Sequence, residues 1–212
     1  TASTGIIAST AHEVAIYEND LNNSAQTGIA IAAWTVNATI FNNTISNSSI
    51  SILISNSSGI ISKDNLVKNS SHAGLYINAS YNVATYNLTA IDSRTPIRVT
   101  DSPDSVINAT NAGTGVIIEN STQSRINFTG EINFTINRTI GESINLTSNR
   151  ISVNSTNAPQ FNTSAVLTMI GLSLTDERVE RAANDESVFA ACPGTICTVL
   201  PGTASDDIFN VT

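Results

Sequence analysis

The chain is expected to be all-β: a right-handed parallel β-helix solenoid closed by a small C-terminal β cap or domain. Three observations predict this. Apolar segments recur every 23 residues, an asparagine column keeps step with them, and β-branched residues dominate a chain that is 41% hydrophobic but only 12% charged.

The period comes first, because self-similarity decides architecture before any local feature does. Gly5-Ile6-Ile7, Gly28-Ile29-Ala30-Ile31, Ser51-Ile52-Leu53-Ile54 and Gly74-Leu75-Tyr76-Ile77 begin at intervals of 23 residues. Inside each unit lies a second column, Asn19-Asp20-Leu21, Asn43-Thr44-Ile45, Asn65-Leu66-Val67 and Asn87-Leu88-Thr89, at intervals of 24, 22 and 22. Short alternating runs joined by polar turns, with no helical spacing, suit coils whose strands stack at about 4.8 Å. A leucine-rich repeat of this length would need a Leu ladder, and Leu is scarce. Weaker runs at Ile97-Arg98-Val99, Val116-Ile117-Ile118, Ile126-Asn127-Phe128, Ile132-Asn133-Phe134, Ile144-Asn145-Leu146 and Ile151-Ser152-Val153 extend the pattern. About seven coils are therefore expected over residues 1–162, a rod on the order of 34 Å long, followed by a cap over 163–212.

Stacking gives each column its chemistry. Inward Ile, Val and Leu form aliphatic columns, and an inward Asn at a tight corner passes amide hydrogen bonds from coil to coil. Asn19, Asn43, Asn65 and Asn87 are the expected ladder. Glycine is expected to open coils where φ must be positive.

These columns resemble the right-handed parallel β-helix repeat family found in pectate lyases, other carbohydrate-active β-helices, the accessory protein of nitrous oxide reductase and archaeal surface proteins. The resemblance covers about residues 5–160 and implies fold more than activity, since this fold hosts many functions.

The second signal is the sequon Asn-x-Ser/Thr. It occurs at Asn22, Asn37, Asn42, Asn47, Asn56, Asn69, Asn78, Asn87, Asn108, Asn120, Asn127, Asn133, Asn137, Asn145, Asn154, Asn162 and Asn210. Chance pairing of the chain's Asn with its Ser and Thr would give roughly six or seven, so these positions are expected to carry covalent N-linked glycans. Alternation along outward strand faces accounts for part of the excess. Asn43 is not a sequon whereas Asn42 is, as expected if one faces the interior and the other water. Asn47 with Asn69, and Asn56 with Asn78, are expected to stack one coil apart, about 5 Å, and to crowd each other's glycans.

A glycan coat implies an extracellular, cell-surface location. There Cys192 and Cys197, separated by a Pro-Gly turn, are expected to form a disulfide. A redox pair would normally have two intervening residues, and a zinc site would need two further ligands that His12 and His72 are poorly placed to supply. From Ala165 the character changes to an apolar run, a charged stretch Asp176-Glu177-Arg178-Val179-Glu180-Arg181, the Cys loop and Ile208-Phe209-Asn210-Val211-Thr212, which together suit a cap.

Charge excludes some functions. The net charge is −8 and the only lysines are Lys63 and Lys68, so no basic face for nucleic acid or anionic membrane is expected. No apolar run approaches the roughly 20 residues of a spanning helix. The start, Thr1-Ala2-Ser3-Thr4, has no signal-peptide pattern, as expected of a processed or excerpted form. Catalysis finds little support. Asp92, Asp101, Asp104, Glu119 and Glu131 are not paired at one-coil spacings, and Asp92-Ser93-Arg94 and Arg98 with Asp101 are expected to be polar loop contacts. Trp34 is expected to fill a corner or core, with a sugar platform as the alternative; His12 and His72 suit turns. No cofactor or metal is expected.

The functional expectation is a non-enzymatic, heavily N-glycosylated structural protein of a surface layer, sheath or self-assembling filament, partnered by copies of itself. A polysaccharide-binding or polysaccharide-cleaving β-helix is the alternative.

Overall fold

In the computed structural model, which describes residues 3–110, 113–148, 150–171, 180–181, 190–195, 197–203 and 206–211, the chain winds into a parallel β-solenoid. One face of each coil is a long strand: Thr4–Ser9, Thr27–Ala32, Ile50–Ser55, Ala73–Asn78 and Ile97–Thr100 pair in parallel, placing Ile6, Ile29, Ile52, Leu75 and Ile97 in one column. A second face stacks Ala15–Tyr17, Thr39–Phe41 and Ile61–Lys63, and a third stacks Asp20–Asn22, Thr44–Ser46 and Leu66–Lys68. In the fourth coil both faces are carried by one continuous strand, Ala84–Ile91.

The interior is made of stacked aliphatic residues, most of them β-branched. Ile29, Ile31, Ile40, Ile45, Ile52, Ile54, Leu75 and Ile77 are all fully buried. Identical side chains at one coil spacing interdigitate in dry contact, and each fully buried residue of this size contributes roughly 1.5–3 kcal/mol.

Four corners turn each coil, and they share one backbone feature. Among the described residues, seventeen other than glycine have φ between 45° and 69°, and eleven of these are Asn or Asp. Asn and Asp adopt this left-handed conformation most readily because their short polar side chains bond locally. The asparagine richness therefore has a backbone cause as well as a surface one.

Glycine has a different role from the expected one. Gly5, Gly28 and Gly74 do not have positive φ. Instead a Cβ on Gly28 would lie 2.3 Å from Ile45 Cγ2 and 2.7 Å from the Ser51 carbonyl oxygen, so this position is small because the opposite wall of the coil is close.

The coil count is about five and not seven. Parallel pairing stops at Val116–Asn120. There Asn120 begins a tight turn: its carbonyl accepts from Gln123 N and its side-chain Oδ1 from Thr122 N and Oγ1. Asp101 fixes the turn from the coil below, accepting from Ser121 N at 2.8 Å and Ser121 Oγ at 2.6 Å. Ser124–Phe128 then returns antiparallel, and Ala165–Ile170, Asp206–Val211 and Cys197–Thr203 continue the same sheet. The runs read as later coils belong to this closing assembly: Phe134–Thr139 lies antiparallel to Val106–Thr110, and Ile144–Thr147 pairs with Arg150–Val153. Phe128, Phe134 and Phe161 meet at ring-centroid separations of 5.3 and 5.5 Å and plug the end of the core. The change of pairing thus falls upstream of the expected boundary at residue 162. Of the charged stretch 176–181, only Glu180 and Arg181 lie within the described residues.

Candidate functional site

Two sets of asparagine emerge, one inside the coil and one outside. Inside, Asn19, Asn43 and Asn65 form a column. Asn43 Oδ1 accepts from Asn19 N and Nδ2 at 3.1 and 2.9 Å, and Asn65 Oδ1 accepts from Asn43 N and Nδ2 at 3.0 Å each. The remaining donor capacity goes mostly to backbone: Asn43 Nδ2 to Ile16 O and Phe41 O, and Asn65 Nδ2 to Ile40 O and to the Ser62 hydroxyl. Asn43 and Asn65 are 1% and 2% exposed, so a polar side chain survives burial there only because its hydrogen bonds are made.

Asn87 is not the fourth rung. The register sets Leu66 against Thr89, which places Leu88 above Asn65; Leu88 is buried, and the column ends on an apolar side chain. Asn87 is one residue earlier, exposed, with φ of 49°, in the corner column of Glu18, Asn42 and Asp64. Its Nδ2 donates to Asp64 Oδ1 at 2.9 Å.

A second ladder, built of hydroxyls, was missed by the sequence reading. Ser57 N donates to Ser80 Oγ and Ser80 N to Ser102 Oγ, at 3.2 and 3.0 Å. Each hydroxyl in turn donates to a carbonyl two residues back: Ser57 to Ser55, Ser80 to Asn78 and Ser102 to Thr100. Thr35 holds the equivalent position in the second coil, donating to Ala32 O. Its signal was the spacing of residues 35, 57, 80 and 102, which is close to one coil each time.

The sequon asparagines are outside. Fifteen of the seventeen have described side chains; those of Asn137 and Asn210 lie outside the described set. Asn22, Asn37, Asn42, Asn47, Asn56, Asn69, Asn87, Asn133, Asn145, Asn154 and Asn162 are exposed, Asn78, Asn108, Asn120 and Asn127 are half-buried, and none of the fifteen is buried. Asn37, Asn42, Asn47, Asn56, Asn69 and Asn87 sit at left-handed corners. Corners project furthest from the coil axis, so an acceptor nitrogen there is open to solvent.

The two expected stacked pairs differ. Asn69 Nδ2 donates to Asn47 Oδ1 at 3.2 Å, so this pair is stacked one coil apart. Asn56 and Asn78 are offset by one residue: the register sets Asn78 against Ser55, and Asn56 N bonds the Asn78 carbonyl. An Asn56 side chain at the corner and an Asn78 side chain on the strand end point differently, which corrects the expectation of direct stacking.

Other singled-out residues fall as follows. Cys192 and Cys197 form a disulfide with a Cα–Cα distance of 5.8 Å. Trp34 is at a corner and 73% exposed, so it fills no core; it is the extra residue of a bulge in which Ala33 and Trp34 both have positive φ. His12 bridges to Val36, and His72 is an exposed bend residue. Glu119 pairs with Arg98 at 2.6 Å and lies 3.8 Å from Arg125, while Asp101 is occupied by Ser121. Asp92, Asp104 and Glu131 are exposed. Among the described residues no helix is long and apolar enough to cross a membrane. Comparison with known proteins gives no match to a family model, to a curated protein or to a solved structure.

Proposed function

We propose that this chain is an extracellular, N-glycosylated structural protein, a component of a surface layer, sheath or self-assembling filament like the archaeal surface β-helix proteins it resembles, with no catalytic role. One observation carries the reading: every sequon asparagine with a described side chain reaches solvent, whereas the asparagines fully buried in the ladder, Asn43 and Asn65, are not sequons. Glycan acceptors must be accessible, and a coil is a rigid frame that displays them in rows along its corners. The disulfide fits an oxidising compartment. The low charge fits self-association, because weakly charged flanks repel their copies little.

The test is intact glycopeptide mass spectrometry of protein from its native source, with negative-stain microscopy of the same material. Glycans on Asn37, Asn42 and Asn56 together with ordered polymers are the expected result. Unmodified corner asparagines on isolated rods would reject the reading.

A further inference from the structure

The outward column of the first face changes character along the coil axis, from Ala30 and Leu53 to Tyr76, Arg98, Ile117 and Asn127. Beside it the loop 92–96 brings Arg94 alongside Gly115. That glycine has φ of 85°, and a Cβ there would meet the Arg94 carbonyl oxygen at 2.9 Å, so the close approach of loop and strand depends on it. Between them opens a cleft of about 320 Å³ lined by His72, Arg94, Thr95, Arg98, Ile117 and Asn127, with Gly115 at its base.

This cleft concentrates cations in an acidic protein. The first 62 residues contain neither Lys nor Arg, and the whole chain has nine, of which Arg94 and Arg98 line this cleft. Arg98 is held rigidly: its guanidinium packs 5.1 Å from the Tyr76 ring centroid, and Nη2 donates to Glu119. Arg125 also approaches Glu119, so two guanidinium groups share that one carboxylate. Arg94 has no carboxylate partner among the described residues. Arg98 Nε and Asn127 Oδ1 are buried without a protein hydrogen-bond partner.

We propose that this cleft binds the carboxylate-bearing residue of an acidic saccharide. Arg94 offers a forked donor matched to a carboxylate and Arg98, whose Nη2 is held by Glu119, adds positive charge beside it, while Thr95 and His72 suit hydroxyls. The volume lies at the small end of the range for ligand sites, enough for a short stretch of saccharide. A nucleic acid would need a longer basic track than two guanidinium groups provide. The site requires Asn127, a sequon residue that lines it, to be free of a glycan, and it stands whether or not the chain polymerises.

The test is calorimetric titration of the full chain at low salt with an oligoglucuronate tetramer, with the matching glucose tetramer and tetraglutamate as comparisons. The uronate binds, the neutral sugar does not, and tetraglutamate binds more weakly. Arg94→Gln weakens uronate binding about tenfold, the loss of one charge-assisted contact, with an unchanged melting temperature because Arg94 is exposed and unpaired. Arg94→Lys falls between, since it keeps the charge without the fork. Competition by glycans released from the native protein would assign the saccharide to a neighbouring copy; binding of the free oligouronate alone would assign it to an exogenous polymer. Equal binding of neutral and acidic sugars, tetraglutamate binding as tight as uronate, or an Arg94→Gln protein with full affinity overturns the proposal.

Discussion

Replacing Asn43 by alanine removes the middle rung of the amide column, and the cost can be worked from its contacts. Asn43 Oδ1 accepts from Asn19 N and Nδ2, and Nδ2 donates to Ile16 O, Phe41 O and Asn65 Oδ1. Phe41 O keeps a second partner in Glu18 N. The substitution therefore orphans chiefly the Asn19 backbone amide, since Asn19 Nδ2 keeps Tyr17 O and the Ile16 carbonyl stays within the parallel strand ladder. At about 1–3 kcal/mol for an unsatisfied group, the expected loss is about 2–4 kcal/mol once the small cavity is included. Asn42→Ala is the internal comparison. Asn42 is exposed, and its replacement costs about 1 kcal/mol, the penalty of alanine at a left-handed corner. Urea unfolding followed by far-ultraviolet circular dichroism gives both values, and amide exchange should place the Asn43→Ala loss in the first two coils. Equal losses for the two variants would refute the ladder as a stabilising element.

Gly28→Ala places a methyl group against Ile45 and the Ser51 carbonyl, and a loss of about 2–4 kcal/mol is expected in the same unfolding assay. Gly113→Ala meets nothing within 4 Å and should lose only about 1 kcal/mol, through its φ of 66°. Cys192→Ser with Cys197→Ser opens a short loop, and chain entropy predicts a loss of about 2 kcal/mol confined to the C-terminal hairpin; limited proteolysis should cut there first. Glycopeptide mass spectrometry should find Asn47 and Asn69 seldom occupied together on one molecule, because their amides touch, whereas Asn56 and Asn78, offset by one residue, should be modified independently.

The coil was legible because stacking turns position into spacing, so Gly28 and Gly74 reveal the first face directly. The slip at Asn87 has a physical origin. The Ala33–Trp34 bulge lengthens the second coil, and the turn at Ser48–Ser49 is one residue shorter than the one at Ser24–Gln26. The true ladder positions are thus 19, 43, 65 and 88, and a repeat interval of 22 leads to Asn87 instead of Leu88. Asparagine also serves two purposes here, inward rung and left-handed corner, and only the register separates them. The hydroxyl ladder was hidden because serine is equally common on the outside. Strand alternation is the same in parallel and antiparallel sheets, so Ile126, Ile132, Ile144 and Ile151 looked like further coils; their short and uneven separations were the available warning. The outward cleft joins residues from His72 to Asn127 through tertiary pairing alone, and no local motif announces it.

A cryo-electron-microscopy map of the native material would show both the coil and its glycans. Rods of stacked coils about 4.8 Å apart, joined side by side or in line, with branched density rising from the corners at Asn37, Asn42 and Asn56, are the expected result. Separate molecules with bare corners, or a chain whose Asn43 and Asn65 are not stacked, would contradict it.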